Sequence, residues 1–155
     1  MSLLKQNHVK YGLIMTGTLV ICLLLMEFTG QNESFENKSP IFLVYQFIMP
    51  AVIWYLALRA KKKSQQGKLT YKQGLLEGFK VSLVFAITSP FVFLIYYLFI
   101  NPQILNYVKT AYQMPQASTS MIITIDLFAQ FIAAVVFGTI YAAIIAIFVR
   151  TKKEA

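Results

Sequence analysis

Residues 121–149 read MIITIDLFAQFIAAVVFGTIYAAIIAIFV, and Asp126 is the one charged residue in the stretch. As a helix rising about 1.5 Å per residue it extends to about 43 Å, longer than the roughly 30 Å hydrocarbon core of a bilayer. Its first turns are therefore expected to stand outside the hydrocarbon or the whole helix to tilt. Small residues recur in it at every fourth position, Ala134, Gly138, Ala142 and Ala146. Such a face lets a neighbouring helix approach closely. That neighbour could belong to the same chain, a second copy or another protein.

Working outward, three further apolar runs occupy about 11–29, 41–58 and 79–100. The expected fold is all-α: a single transmembrane domain over 1–155 with four membrane-spanning helices. The first run follows Lys5 and Lys10, as a secretory signal would. It is long for such a signal, however, and Leu25-Met26-Glu27-Phe28 offers no small-residue cleavage pattern. A retained helix is expected. Pro40, with Ser39 as N-cap, suits the start of the second run. Pro50 and Pro90 lie inside the second and third runs, where each should kink its helix.

Composition agrees with this placement. The 155 residues are 57% hydrophobic, against about 45–50% in soluble domains, and mean hydropathy is +0.62. Net charge is +8, yet the cations cluster between and after the apolar runs, which argues against a nucleic-acid partner. Twelve of the fourteen Lys and Arg fall in the N-terminal segment, the middle connection or the tail. Only Lys38 and Lys109 fall on the opposite side. By the positive-inside rule both termini and the middle connection face the cytoplasm of a bacterial inner membrane.

The connections carry local signals. Asn32-Glu33-Ser34 and Asn37-Lys38-Ser39 match the glycosylation sequon, a match that polar loops produce by chance. The basic loop 59–72 opens with Arg59, Lys61, Lys62 and Lys63, a cluster suited to anionic head groups. Thr70 and Gln73 form a capping box, so a helix should start at Tyr71 and run unbroken into the third span. Tyr71, Leu75, Gly78 and Phe79 form its expected apolar stripe, leaving Lys72, Glu77 and Lys80 in water. Asn101-Pro102 is a further N-cap with a proline at the first helical position. It opens a short interfacial helix over 102–112.

These motifs carry a resemblance. A basic exit, then Thr70, Tyr71, Gln73, Gly74, Leu75 and Gly78, a hydrophobic helix, and Tyr97, Ile100, Asn101, Pro102 and Leu105 resemble the pattern of a family of small four-span bacterial membrane proteins. The family is common in Bacteroidota and is filed as a domain of unknown function. Lys10-Tyr11-Gly12 and the Gly138-containing last helix with its basic tail are also similar. Asn101 stands where the family usually has aspartate, and Leu75 where phenylalanine is usual. The resemblance implies the architecture and carries no activity.

Ionisable groups inside a bilayer are the remaining pointers to function. Asp126, with Gln130 one turn on, is the candidate intramembrane polar site. The competing expectation places Asp126 at the interface, capping or pairing with Lys109. Glu27 is expected at the interfacial end of the first span. Thr16, Thr18, Gln46, Thr88 and Ser89 read as interhelical packing groups, and Trp54, Tyr55, Tyr96, Tyr97 and Phe99 as interfacial aromatic belts. Enzyme motifs are missing, and one histidine (His8) and one cysteine (Cys22) leave little for catalysis. No catalytic residue, cofactor or metal is expected. The first functional expectation is a non-enzymatic scaffold or accessory subunit, partnered by the anionic bilayer and by another membrane protein or a second copy. The second is a small oligomeric transporter or channel using Asp126 and Gln130. The third is a membrane anchor for a lipid-linked glycosyltransferase-type enzyme.

Overall fold

The computed structural model describes residues 6–30 and 40–151. The two sequons, Ser39, Lys5, Lys38, Lys152 and Lys153 lie outside the described residues. Four helices are long and apolar enough to cross a membrane: α1 (Asn7–Phe28), α2 (Pro40–Ser64), α3 (Tyr71–Ile100) and α5 (Thr119–Val149). A short α4 (Ile104–Ala111) stands between α3 and α5. No strand occurs among the described residues.

Local chemistry sets the ends of these elements. Thr70 Oγ1 accepts from the Gln73 backbone N–H at 3.3 Å, and Gln73 Oε1 accepts from the Thr70 N–H at 3.0 Å. This reciprocal box starts α3 at Tyr71, and the helix runs without a break to Ile100. Before it, Gln66 and Gly67 turn the chain through left-handed backbone (φ 55° and 82°). Ser118 Oγ caps α5 by accepting from the Met121 N–H. The second helix continues past Leu58 to Ser64, so Arg59–Lys63 are helical and the turn is confined to residues 65–70.

Pro50 is accommodated by a π turn, Val44–Ile48, directly before it. Proline has no N–H to give the carbonyl four residues back. The Gln46 and Phe47 carbonyls instead accept from the Tyr141 hydroxyl of α5, each at 3.3 Å. A second π turn, Tyr96–Ile100, ends α3, with the Asn101 N–H donating to the Tyr96 carbonyl at 2.8 Å. Pro90 lies within uninterrupted helix.

The bundle is organised by α3 against α5. Lipid tails are as apolar as leucine, so helices in a bilayer associate through close packing and hydrogen bonds. The small residues of α5 do this within the chain. A Cβ added to Gly74 would lie 3.1 Å from Ala146 Cβ; one added to Gly78 would collide with Ala142 Cβ and lie 3.2 Å from its Cα. A Cβ on Gly138 would collide with Ser82 Oγ. Gly74, Gly78 and Ser82 thus descend α3 as Ala146, Ala142 and Gly138 ascend α5. Across the other face, Thr16 Oγ1 of α1 meets Thr88 Oγ1 of α3 at 2.5 Å.

This pairing corrects the stripe expected at the start of α3. Gly74, Glu77, Gly78 and Val81 are buried, whereas Tyr71 and Phe79 are exposed. The small residues, not the large apolar ones, face the neighbour because they allow the backbones together. Large apolar side chains point outward along every span, among them Ile21, Phe47, Phe91 and Phe148. Apolar surface on this scale requires a non-aqueous surround. The chain is a multi-pass membrane protein.

Candidate functional site

The bundle has two polar ends. At one, Asn7 and His8 of α1, Lys61 and Lys62 of α2, the start of α3 and the end of α5 come together. Glu77, expected in water, is buried there. It accepts from Asn7 Nδ2 at 2.9 Å and pairs with Lys61 Nζ at 3.5 Å and His8 Nδ1 at 3.6 Å. Its position three residues after Gly74 and one before Gly78 places it on the face closed by the neighbouring helices. Lys62 Nζ donates to the Val149 carbonyl at 2.9 Å. Of the four basic residues expected to form a surface cluster, Lys61 and Lys62 serve the bundle, and Arg59 and Lys63 stay exposed.

The opposite end holds Glu27 and Asp126. Glu27 Oε2 accepts from the Tyr96 hydroxyl at 3.0 Å and from Asn101 Nδ2 at 3.2 Å. Asn101 Oδ1 accepts from the Ile104 N–H at 3.2 Å across the turn before α4, whose first helical residue is Ile104 rather than the expected Pro102. One side chain therefore ties this turn and donates to a carboxylate. An aspartate there could accept from the same N–H, but it could not donate in its ionised form.

Asp126 is buried at 5% exposure. Its Oδ2 accepts from the Tyr97 hydroxyl at 2.6 Å and its Oδ1 from the Tyr112 hydroxyl at 3.1 Å. The interfacial pairing with Lys109 does not form: both ion pairs among the described residues are made by Glu77. Helix α4 buries Ile104, Leu105 and Val108 and, by docking on α5, brings Tyr112 back over the first turns of that helix. Burial first, and then the Asp126 carboxylate, push the Tyr112 phenol up to about 12.

Asp126 and Gln130 line a cavity of about 430 Å³ to which α1, α2, α3, α4 and α5 all contribute. Its walls are mainly apolar and aromatic, including Met15, Leu19, Phe42, Phe85 and Phe93. Size and lining match those of small-molecule sites. Trp54, Tyr96 and Tyr97, expected in interfacial belts, are buried and face this space; Phe99 and Tyr55 remain exposed. Two buried donors lining it, the Tyr45 hydroxyl and Trp54 Nε1, have no hydrogen-bond partner among the described residues. A buried donor left unpaired costs about 1–3 kcal/mol.

The sequence alone singled out Asp126 and Gln130 but not Tyr97, Tyr112, Tyr45 or Trp54 as their companions. Tyr97 carried a signal, since it opens the Tyr-x-x-Ile-Asn-Pro stretch. Tyr112 carried none, because its approach depends on how α4 folds back. No cluster of three or more His, Cys, Asp and Glu able to hold a metal occurs among the described residues. Of the remaining family-pattern positions, Thr70 and Gln73 cap α3, Gly74 and Gly78 seat α5, and Pro102 lies in the turn before α4.

No curated protein and no solved structure matches the chain. The family described as protein of unknown function, DUF4199, matches residues 10–151, nearly the whole chain, and this protein is a member of that family.

Proposed function

We propose that this protein is a small non-enzymatic carrier: it receives a mostly apolar molecule in its intramembrane cavity and holds the molecule's polar end at Asp126 and Gln130. The observation that carries this reading is a buried carboxylate at one end of a 430 Å³ cavity shared by all the helices. A buried ionisable group is costly in a bilayer, so a site that keeps one is a functional site by default. The π turns and Pro50 in the helices that line the cavity support movement around it, as broken helices do in transport proteins. The basic end, with Arg59 and Lys63 exposed, supports a cytoplasmic placement of both ends of the chain in a bacterial inner membrane, against anionic head groups.

The scaffold reading draws less support. Its main surface, the small-residue face at Gly138, Ala142 and Ala146, is covered by the chain's own α3. The anchor reading rests on the exposed basic residues alone.

Mass spectrometry of molecules extracted from the purified protein tests the proposal. Wild type should carry a small molecule that an Ala134→Phe variant, its cavity filled from α5, does not. Identical extracts from the two proteins would sink it. Stoichiometric recovery of a second membrane protein from gently solubilised membranes would favour the accessory subunit instead.

A further inference from the structure

The chemical class of the occupant can be read from the cavity's charge and shape, on the reading that the cavity is a binding site. Asp126 receives two phenolic hydrogen bonds, which fill about half of a carboxylate's acceptor positions. No cation among the described residues pairs with it. A buried charge needs an opposite charge or a full set of hydrogen bonds. A hard metal ion would ask for six or more oxygen ligands, and the walls supply mostly aromatic rings and methyl groups. Aromatic faces attract organic cations, the more so when water is excluded.

The shape adds a second constraint. On α5 the lining residues run from Asp126 to Tyr141, a rise of about 22 Å at 1.5 Å per residue. A space of that length suits an extended occupant. Trp54 lies beside Gly138, with its Cζ2 3.0 Å from where a Cβ on that glycine would stand. Gly138 is in turn about 18 Å along the helix from Asp126. The unpaired Trp54 Nε1 and Tyr45 hydroxyl, both on groups at least nine-tenths buried, face the same space. They offer hydrogen bonds to an oxygen carried on the body of the occupant.

We propose that the cavity takes an extended amphiphile with a cationic nitrogen, its head seated on Asp126 among Tyr97 and Tyr112 and its chain directed toward Trp54. The negative carboxylate selects against an anionic head, and the length of the apolar and aromatic walls suits an extended body.

The chain carries its own reporter, because Trp54 is the only tryptophan. Protein reconstituted in phosphatidylcholine vesicles is titrated with dodecyl chains that end in bromine, a contact quencher of indole. The heads compared are trimethylammonium, hydroxyl and sulfate, at matched bilayer concentration. The ammonium chain should quench saturably at a concentration about tenfold lower than the other two. Asp126→Asn, nearly isosteric, keeps one acceptor for a phenol and offers its amide N–H to the oxygen of the other, and should bring the ammonium curve onto the alcohol curve. Equal saturable quenching by all three heads, or a preference for sulfate, overturns the assignment of a cationic occupant while leaving a chain-binding cavity. Quenching that only rises linearly with each chain, as bilayer partition gives, overturns the carrier reading itself. The comparison of heads on the wild-type protein decides the matter even if the variant fails to fold.

Discussion

Glu77 and Asp126 are equally hidden, at 4% and 5% exposure, and lie at opposite ends of the bundle in opposite company. Glu77 meets the Lys61 ammonium on α2 and the His8 imidazole on α1, along with the Asn7 amide. Its charge is spent inside the protein, joining three helices. Asp126 meets only phenols, which hold its oxygens in place and leave its charge uncompensated. Burial alone does not distinguish the two carboxylates; the sign and source of their partners do.

The most damaging way to break the comparison is to separate α3 from α5, since Glu77 and Tyr97 are on one and Asp126 on the other. Gly78→Val drives a side chain into Ala142 and should cost about 3 kcal/mol, the upper end of ordinary overpacking. The thermal midpoint of the detergent-solubilised protein would show it, and an unchanged midpoint would contradict the close pairing. Glu77→Ala should cost about 2 kcal/mol by removing the acceptor of a buried amide and the partner of two bases. The partly exposed Lys61 recovers some hydration, and a double-mutant cycle with Lys61→Ala should therefore return a coupling near 1 kcal/mol.

Smaller effects sharpen the contrast. Tyr97→Phe removes a 2.6 Å bond to a carboxylate and should cost about 1.5 kcal/mol, in stability measured without ligand. Asp126→Asn should change stability by less than about 1 kcal/mol, and if it proves as costly as Glu77→Ala then Asp126 is structural after all. The weakest test is a titration. Tyr112 has a raised folded-state pKa of about 12, so the stability it supplies is full below the unfolded value near 10 and fades as pH rises toward 12. Asp126→Asn should lower the pH of Tyr112 ionisation in difference absorbance, but only in part, because burial is the larger cause.

Much of this was legible in the chain. The four spans follow from uninterrupted apolar length, and the start of α3 from the side chains of Thr70 and Gln73, which act on backbone groups three residues away. The two ends of the bundle were harder. Glu77 sits among Lys72 and Lys80 in sequence and resembles a solvated charge; only the glycines beside it betray the face it shares. Asp126 was visible as an anomaly, but its depth depends on Tyr112, delivered by a short helix whose docking no local pattern encodes. Trp54 and Tyr96 looked interfacial because aromatic residues near span ends usually are. The π turns, which add a residue to the local turn and so rotate the rest of the helix about its axis, left no mark distinct from ordinary helix.

The pairing of Gly74, Gly78 and Ser82 with Ala146, Ala142 and Gly138 also has a consequence for biogenesis. The ribosome completes α3 well before it completes α5, and the two must then meet as antiparallel neighbours already in lipid. Until residues 138–146 have entered the bilayer, the narrow face of α3 has only acyl chains against it, and the wall of the cavity that α5 supplies is missing. The cavity is therefore incomplete in every nascent chain that stops short of α5, and truncation before Asp126 should produce a membrane-inserted protein that lacks it.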